Sequence, residues 1–256
     1  MKKAILCMMA TMMLAGCAEQ QVFDDIALDA PVQVRETESL DGLMAQAKWG
    51  DGNAYLKLAD YYVNGQDGME PDLMMAMSML TMAEEYDAIR RPEEYIDKLP
   101  EDNNTRMAFE AIDYIDDSQN EKGLELAERL VNKNCPDGYA IRGFACMEAG
   151  DTIEAMRWAT LAAEQGSSLG KALLYAFTYG DLADMPDEST IASLTESTPI
   201  FYLMMAKDYI YHLSYSPENE EKAVRAYLKA DENGFLDRRG ARWLLGYKER
   251  GGCLPL

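Results

Sequence analysis

Residues 154–166 read EAMRWATLAAEQG, with Ala155, Trp158, Ala162, Ala163 and Gly166 at offsets 0, 3, 7, 8 and 11. In a helix of 3.6 residues per turn the first four offsets fall on one side, and the alanines let a second helix approach closely. The glycine supplies the left-handed conformation that ends many helices. The same offsets return as Ala76, Met79, Ala83, Glu84 and Asp87, as Gly123, Leu126, Leu130, Val131 and Asn134, and as Ala223, Ala226, Ala230, Asp231 and Gly234. Their starts differ by 47, 32 and 68 positions, and 68 is two units of 34. Fixed spacing of this kind marks repeated helical hairpins.

A partner pattern precedes each of these helices. Ala54, Leu58, Tyr62 and Gly65 lie at offsets 0, 4, 8 and 11, with an echo at Ala241, Leu245, Gly246 and Gly252 and weaker starts at Ala108, Ala140, Ala172 and near Phe201. From Ser39 onward apolar residues keep the helical period and no alternating strand pattern appears. Gly65, Gly150, Gly166 and Gly234 read as helix stops, while Ser118-Gln-Asn-Glu121, Asp151-Thr-Ile-Glu154 and Ser216-Pro217 read as starts. An all-α fold of stacked helix-turn-helix units over residues 37–256 is expected, with about five hairpins and a terminal helix at 238–249. Residues 88–107 and 183–198 depart from the pattern.

The stretch GNAYLKLADYYVNGQDGMEPDLMMAMSMLTMAEEYD, from Gly52, resembles a Sel1-like repeat, and EAMRWATLAAEQG resembles that family's second helix. The resemblance covers about residues 50–252 and implies an α-solenoid of the tetratricopeptide type that acts in protein interaction rather than chemistry. It implies further that first helices line an inner surface. The stripe beside Ala54, Leu58 and Tyr62 carries Asn53, Asp60 and Asn64. Corresponding positions are Glu110, Tyr114, Arg142, Thr178, Lys207 and Tyr211, and these nine are the expected partner-binding residues.

The N-terminus reads as a targeting signal. Lys2 and Lys3 precede the apolar run Ala4–Leu14, too short to span a membrane, and Leu14-Ala15-Gly16-Cys17 resembles the lipobox of bacterial lipoproteins. Residues 1–16 would be removed, Cys17 lipidated, and 17–36, which show no sustained period, would form a tether. The alternative is an ordinary signal peptide with a chance cysteine. A lipid anchor in the cell envelope follows, and Ala18 after the cysteine points to the outer membrane where enterobacterial sorting rules apply.

Charge and composition narrow the function. The 256 residues carry 24 Lys plus Arg against 45 Asp plus Glu, a formal charge of −21, which argues against a general phosphate-backbone binder. One His excludes sites built on two imidazoles. Beyond Cys7 and Cys17, the odd number left by Cys135, Cys146 and Cys253 argues against a disulfide framework. Cys146 reads as a small buried apolar residue.

Ser168-Leu-Gly-Lys171 has an S-x-x-K spacing, but its companion elements are absent and Ser167 and Ser168 read better as helix caps. His212 reads as a wedged imidazole, and Asp181, Asp184 and Asp187 as a solvated loop rather than a calcium site. No metal or cofactor is expected, and no enzyme. The Met-rich helix Leu73–Ala83 is apolar almost all round, which suits a sandwiched core helix or an adaptable binding surface. Between Glu84 and Lys122 stand 13 acidic and 5 basic residues, a solvated face or a docking surface for a basic partner. Arg238, Arg239, Arg242, Lys248 and Arg250 concentrate cations in the terminal helix, where they cap it or meet anionic lipid or another protomer.

The functional expectation is a lipid-anchored envelope scaffold or adaptor that binds a protein or peptide through a solenoid groove. The rival is an immunity-type lipoprotein that neutralises a basic toxic effector, a role the family resemblance also allows.

Overall fold

Short polar side chains start eight of the helices, each accepting a backbone N–H of the first turn. Ser39 accepts from Gly42, Asp51 from Asn53, Asp72 from Met75, Asn103 from Arg106, Asp151 from Glu154, Ser167 from Gly170, Ser216 from Asn219 and Asp237 from Gly240. The computed structural model describes residues 39–66, 70–179, 198, 200–211 and 216–252. Among them are twelve helices and no strand, as the periodicity predicts. They are α1 (Leu40–Lys48), α2 (Gly52–Asn64), α3 (Leu73–Glu85), the single turn α4 (Glu93–Ile96), α5 (Asn104–Asp116) and α6 (Asn120–Asn132). After these come α7 (Asp137–Glu148), α8 (Thr152–Glu164), α9 (Ser168–Tyr179), α10 (Ile200–Tyr211), α11 (Pro217–Glu232) and α12 (Arg238–Glu249).

The repeated offsets have a common structural meaning. Ala76, Ala155 and Ala223 are wholly buried, as are Ala83, Leu130, Ala162 and Ala230 at offset 7 of the pattern. The closing positions Asp87, Asn134, Gly166 and Gly234 all turn left-handed, with φ of 60°, 59°, 96° and 77°. Four second helices therefore end in the same way, though only two of them use glycine.

Two start signals read differently in three dimensions. Ser118 is itself left-handed, at φ 63°, because it turns the chain out of α5. It cannot also cap α6, which begins at Asn120 behind Gln119 with no side-chain cap. In the Asp151–Glu154 pair, Asp151 caps as expected while the Glu154 carboxylate turns to Arg157 at 3.1 Å.

Hairpins α2–α3, α5–α6, α7–α8 and α10–α11 pack as neighbouring pairs, and α5, α7 and α9 lie side by side. Their contacts are close: a Cβ built on Gly170 of α9 would stand 2.6 Å from that of Ala162 in α8. Helix α3 touches α2, α5 and α9, so it lies across the rank that α5 and α9 bound. That placement explains its lack of a polar face. Met74, Met75, Met77, Met79 and Met82 are all buried there, where flexible thioethers fill the gaps between three neighbours.

The last helices fold back on the first. Lys48 at the end of α1 lies 3.3 Å from Asp231 of α11, and Gly234 faces the methyl of Met44. The expected buried register Ala241–Leu245 of α12 is shifted by one. Leu244 is buried and Leu245 is 52% exposed, because Gly240 must seat against the Tyr227 ring. Cys135 and Cys146 are both free thiols, and Cys146 is half-buried rather than enclosed.

Candidate functional site

The α2 stripe is engaged with α4. Asp60 accepts from Asn64 at 3.0 Å, from Gln66 at 3.0 Å and from the Tyr95 hydroxyl at 2.8 Å. Burial and that carboxylate together push the Tyr95 phenol above its ordinary range. Asn53 is exposed in the first turn of α2 beside the capping Asp51. On α5, Glu110 holds Arg106 at 2.7 Å, and Arg106 reaches on to the carbonyls of Leu99 and Asp97 at 2.8 and 3.3 Å. Helix α4 and its exit thus link the α2 and α5 stripes. This link falls in residues 88–107, where the repeat pattern lapses and sequence reading offers nothing.

The other expected residues lie apart from these. The Tyr114 ring carries the Lys122 ammonium at 5.2 Å. Arg142 of α7 pairs with Glu128 of α6 and stands 5.0 Å over Trp158 of α8, whose ring stacks on Tyr139. Lys207 of α10 meets Asp237, the cap of α12, at 2.6 Å. The side chains of Thr178 and Tyr211 lie outside the described residues, as do Cys17, Asp181, Asp184, Asp187, His212 and Cys253.

Carboxylates gather where α3, α4, α5 and α7 meet. Asp113 is pushed up to about 6 by burial, then by Glu93, Asp116, Asp117 and Glu110, although its side chain still reaches solvent. Asp116 rises to about 6 through burial, Glu148 and Asp117. Burial and Glu93 raise Glu84 as well. Raised acids on a solvent-facing helix are the signature of crowded negative charge, which attracts cationic side chains and repels acidic competitors.

A buried polar junction joins three helix N-termini. Ser167, the cap of α9, places its hydroxyl 2.5 Å from Oδ1 of Asp137 at the start of α7. Ser168 places its hydroxyl 2.5 Å from Oδ2 of Asp72, the cap of α3, and 3.3 Å from that of Thr198. Burial lifts Asp137 to about 6; the Ser167 hydrogen bond pulls it down, Asp72 pushes it up, and Cys135 pulls it down. The Cys135 thiol is itself pushed up to about 12 by burial and by Asp137, so it is no nucleophile near neutral pH. Ser167 is a helix cap, as the sequence suggests, and Ser168 ties α9 to α3. Nothing in one dimension marks Asp72 and Ser168 as neighbours; the nearest signal is that both open helices.

Among the described residues, no three His, Cys, Asp or Glu side chains are placed to hold a metal ion, and no helix is long and apolar enough to cross a membrane. Comparison of the chain with models of protein families, with curated proteins and with solved structures yields no match.

Proposed function

We propose that the chain is an α-solenoid of Sel1-like hairpins, anchored by lipid at Cys17 in the bacterial cell envelope, that serves as a scaffold or adaptor by holding another protein. It carries no catalysis of its own. The observation that supports this reading most is the shared left-handed closure at Asp87, Asn134, Gly166 and Gly234, each behind a buried small or aliphatic position. Repeats of that kind are put to use in binding.

The partner is a basic protein or peptide. Support comes from the crowded acids around Asp113 and Asp116, beside the α2 and α5 stripes that α4 connects. The same acidic face favours, as a second reading, an immunity-type lipoprotein that occludes a basic effector. Photo-cross-linking from Asn53 and Tyr114 in intact membranes, with identification of the captured protein, tests both readings. Capture of a basic envelope protein supports the scaffold, and capture of a basic effector supports the immunity role. Fatty-acid labelling that persists in Cys17→Ser would overturn the anchor.

A further inference from the structure

The outward face of α12 differs in charge from the acidic molecule that carries it. At 3.6 residues per turn Arg238, Arg242, Leu245 and Glu249 fall on one stripe, flanked by Arg239 and Lys248, and each of these is exposed. The opposite side holds the helix to the body of the protein. Leu244 is buried there, the Trp243 ring stands 5.5 Å from that of Tyr227, and Tyr247 stacks on Trp243 at 5.8 Å. Turned outward are four cations and one carboxylate around Leu245, which is 52% exposed.

A second apolar group joins this face at the start of the helix. The Arg238 guanidinium lies 4.4 Å over the Tyr86 ring, and a Cβ built on Gly50 would stand 2.7 Å from Cε1 of the same ring. Trp49, directly before Gly50, is therefore a neighbour of the first turn of α12, and it is 74% exposed.

We infer that this end of the molecule, Trp49 together with the outward face of α12, docks on the surface of an anionic phospholipid bilayer. The inference deepens the envelope reading above and rests on it for the nearness of a bilayer. Ser39, at the head of α1, lies 22 positions after Cys17, no more than about 75 Å at full extension. Helix α1 then runs only about 14 Å to Trp49.

Charge and chemistry select this occupant. Each Lys or Arg close to an anionic leaflet favours contact about fivefold, and indole rings settle at headgroup level. Trp49 and Leu245 stand singly among the cations, a mixture that headgroups over hydrocarbon accommodate without a shaped pocket. Because Trp243 and Tyr247 pack inward, α12 lies on the surface and does not sink into it. The formal charge of −21 opposes the approach, but screening confines that opposition to about 8 to 10 Å. Within that range the carboxylates of Glu249, of Asp87, which Arg238 meets at 3.9 Å, and of Asp51 stand against the cations of the face.

The full chain, purified from membranes and reconstituted in vesicles, tests the docking. Brominated phosphatidylcholine quenches indole emission at the bilayer surface, and the part of the emission that Trp49→Phe removes is the signal. Mixed vesicles of phosphatidylcholine and phosphatidylglycerol should quench it; in pure phosphatidylcholine, or at high salt, most of the quenching should vanish. Arg242→Gln with Lys248→Gln should lower the ratio of docked to free chain about 25-fold. Arg129→Gln with Arg157→Gln, on α6 and α8, should leave it unchanged. Equal quenching in both kinds of vesicle, or none in either, would overturn the docking. So would dimers that the Arg242 and Lys248 changes dissolve while Trp49 stays unquenched, since α12 would then meet a second copy of the chain. Should the α12 double variant fail to fold, the two kinds of vesicle decide with the natural chain alone. Failure of the anchor reads differently: a chain without fatty acid does not float with pure phosphatidylcholine vesicles, yet Trp49 quenching in the mixed ones still decides the docking.

Discussion

The hydroxyl of Ser168 lies 2.5 Å from the carboxylate of Asp72, 96 positions earlier in the chain, and this bond pins the N-terminus of α3 to that of α9. Asp72 serves twice, since its other oxygen accepts the Met75 N–H and starts α3. The Met-rich helix, with no polar face of its own, is thereby fixed in register across α5 and α9.

Replacing Asp72 should cost more than replacing its partner. Asp72→Ala loses both the cap and the tie, about 2 to 4 kcal/mol in all, whereas Ser168→Ala keeps the cap and loses the tie with its contact to Thr198, about 1 to 2 kcal/mol. Asp72→Ser should fall between them, because serine restores the cap. Urea denaturation midpoints of the three variants give the order, and equal losses would mean that the two roles of Asp72 are not separate.

Close helix approach can be tested at α8 and α9. The Cβ of an alanine at 170 would stand 2.6 Å from Ala162 Cβ and 2.7 Å from the Ala163 nitrogen, both on a packed helix that cannot yield cheaply. Gly170→Ala and Ala162→Leu should each lower stability by about 1 to 3 kcal/mol. An unchanged midpoint for either would show that these helices stand further apart.

The left-handed turns separate backbone strain from packing. At Gly166 an added Cβ meets nothing within 4 Å, so Gly166→Ala should cost only the conformational term, about 1 kcal/mol. Asn134 already occupies the same conformation at φ 59°, and Asn134→Gly should leave stability nearly unchanged. A loss at Asn134 equal to that at Gly166 would argue against a shared turn geometry.

What the sequence makes legible is local. Helix starts follow from caps such as Asp151 and Ser216, and the repeat register follows from small residues whose burial the structure reproduces. The expected binding stripe is legible only as a list of positions. One-dimensional spacing says nothing of α4 reaching Asp60 through Tyr95, or of Asp237 drawing Lys207 towards α12. Such contacts depend on how hairpins curve, and curvature arises from side-chain volumes at interfaces rather than from period. For the same reason the buried register of α12 differs by one residue from the repeat pattern: the pattern gives Ala241 and Leu245, while the fit of Gly240 on Tyr227 selects Leu244.

Stability should rise on mild acidification, which also lowers the self-repulsion of a chain with formal charge −21. Glu85 sits at about 7 and Asp113, Asp116 and Asp137 at about 6, whereas unfolded carboxyls titrate near 4. Between about pH 4 and pH 7 the folded chain holds more protons than the unfolded one, so lowering pH through that window favours folding. The contribution is complete below about pH 4 and is lost as pH rises through 6 to 7. Asp137 offers the cleanest test because it is enclosed, whereas solvent screens Asp113 and Asp116. Asp137→Asn retains an oxygen to accept from Ser167 and cannot ionise, so its urea midpoint should vary less between pH 5.5 and 8. The part of the slope owed to Asp137 across this window is on the order of 1 kcal/mol. A natural chain whose midpoint climbs steadily from pH 5.5 to 8 would mean that these carboxyls are ionised without penalty, and that the junction of α3, α7 and α9 is open to water.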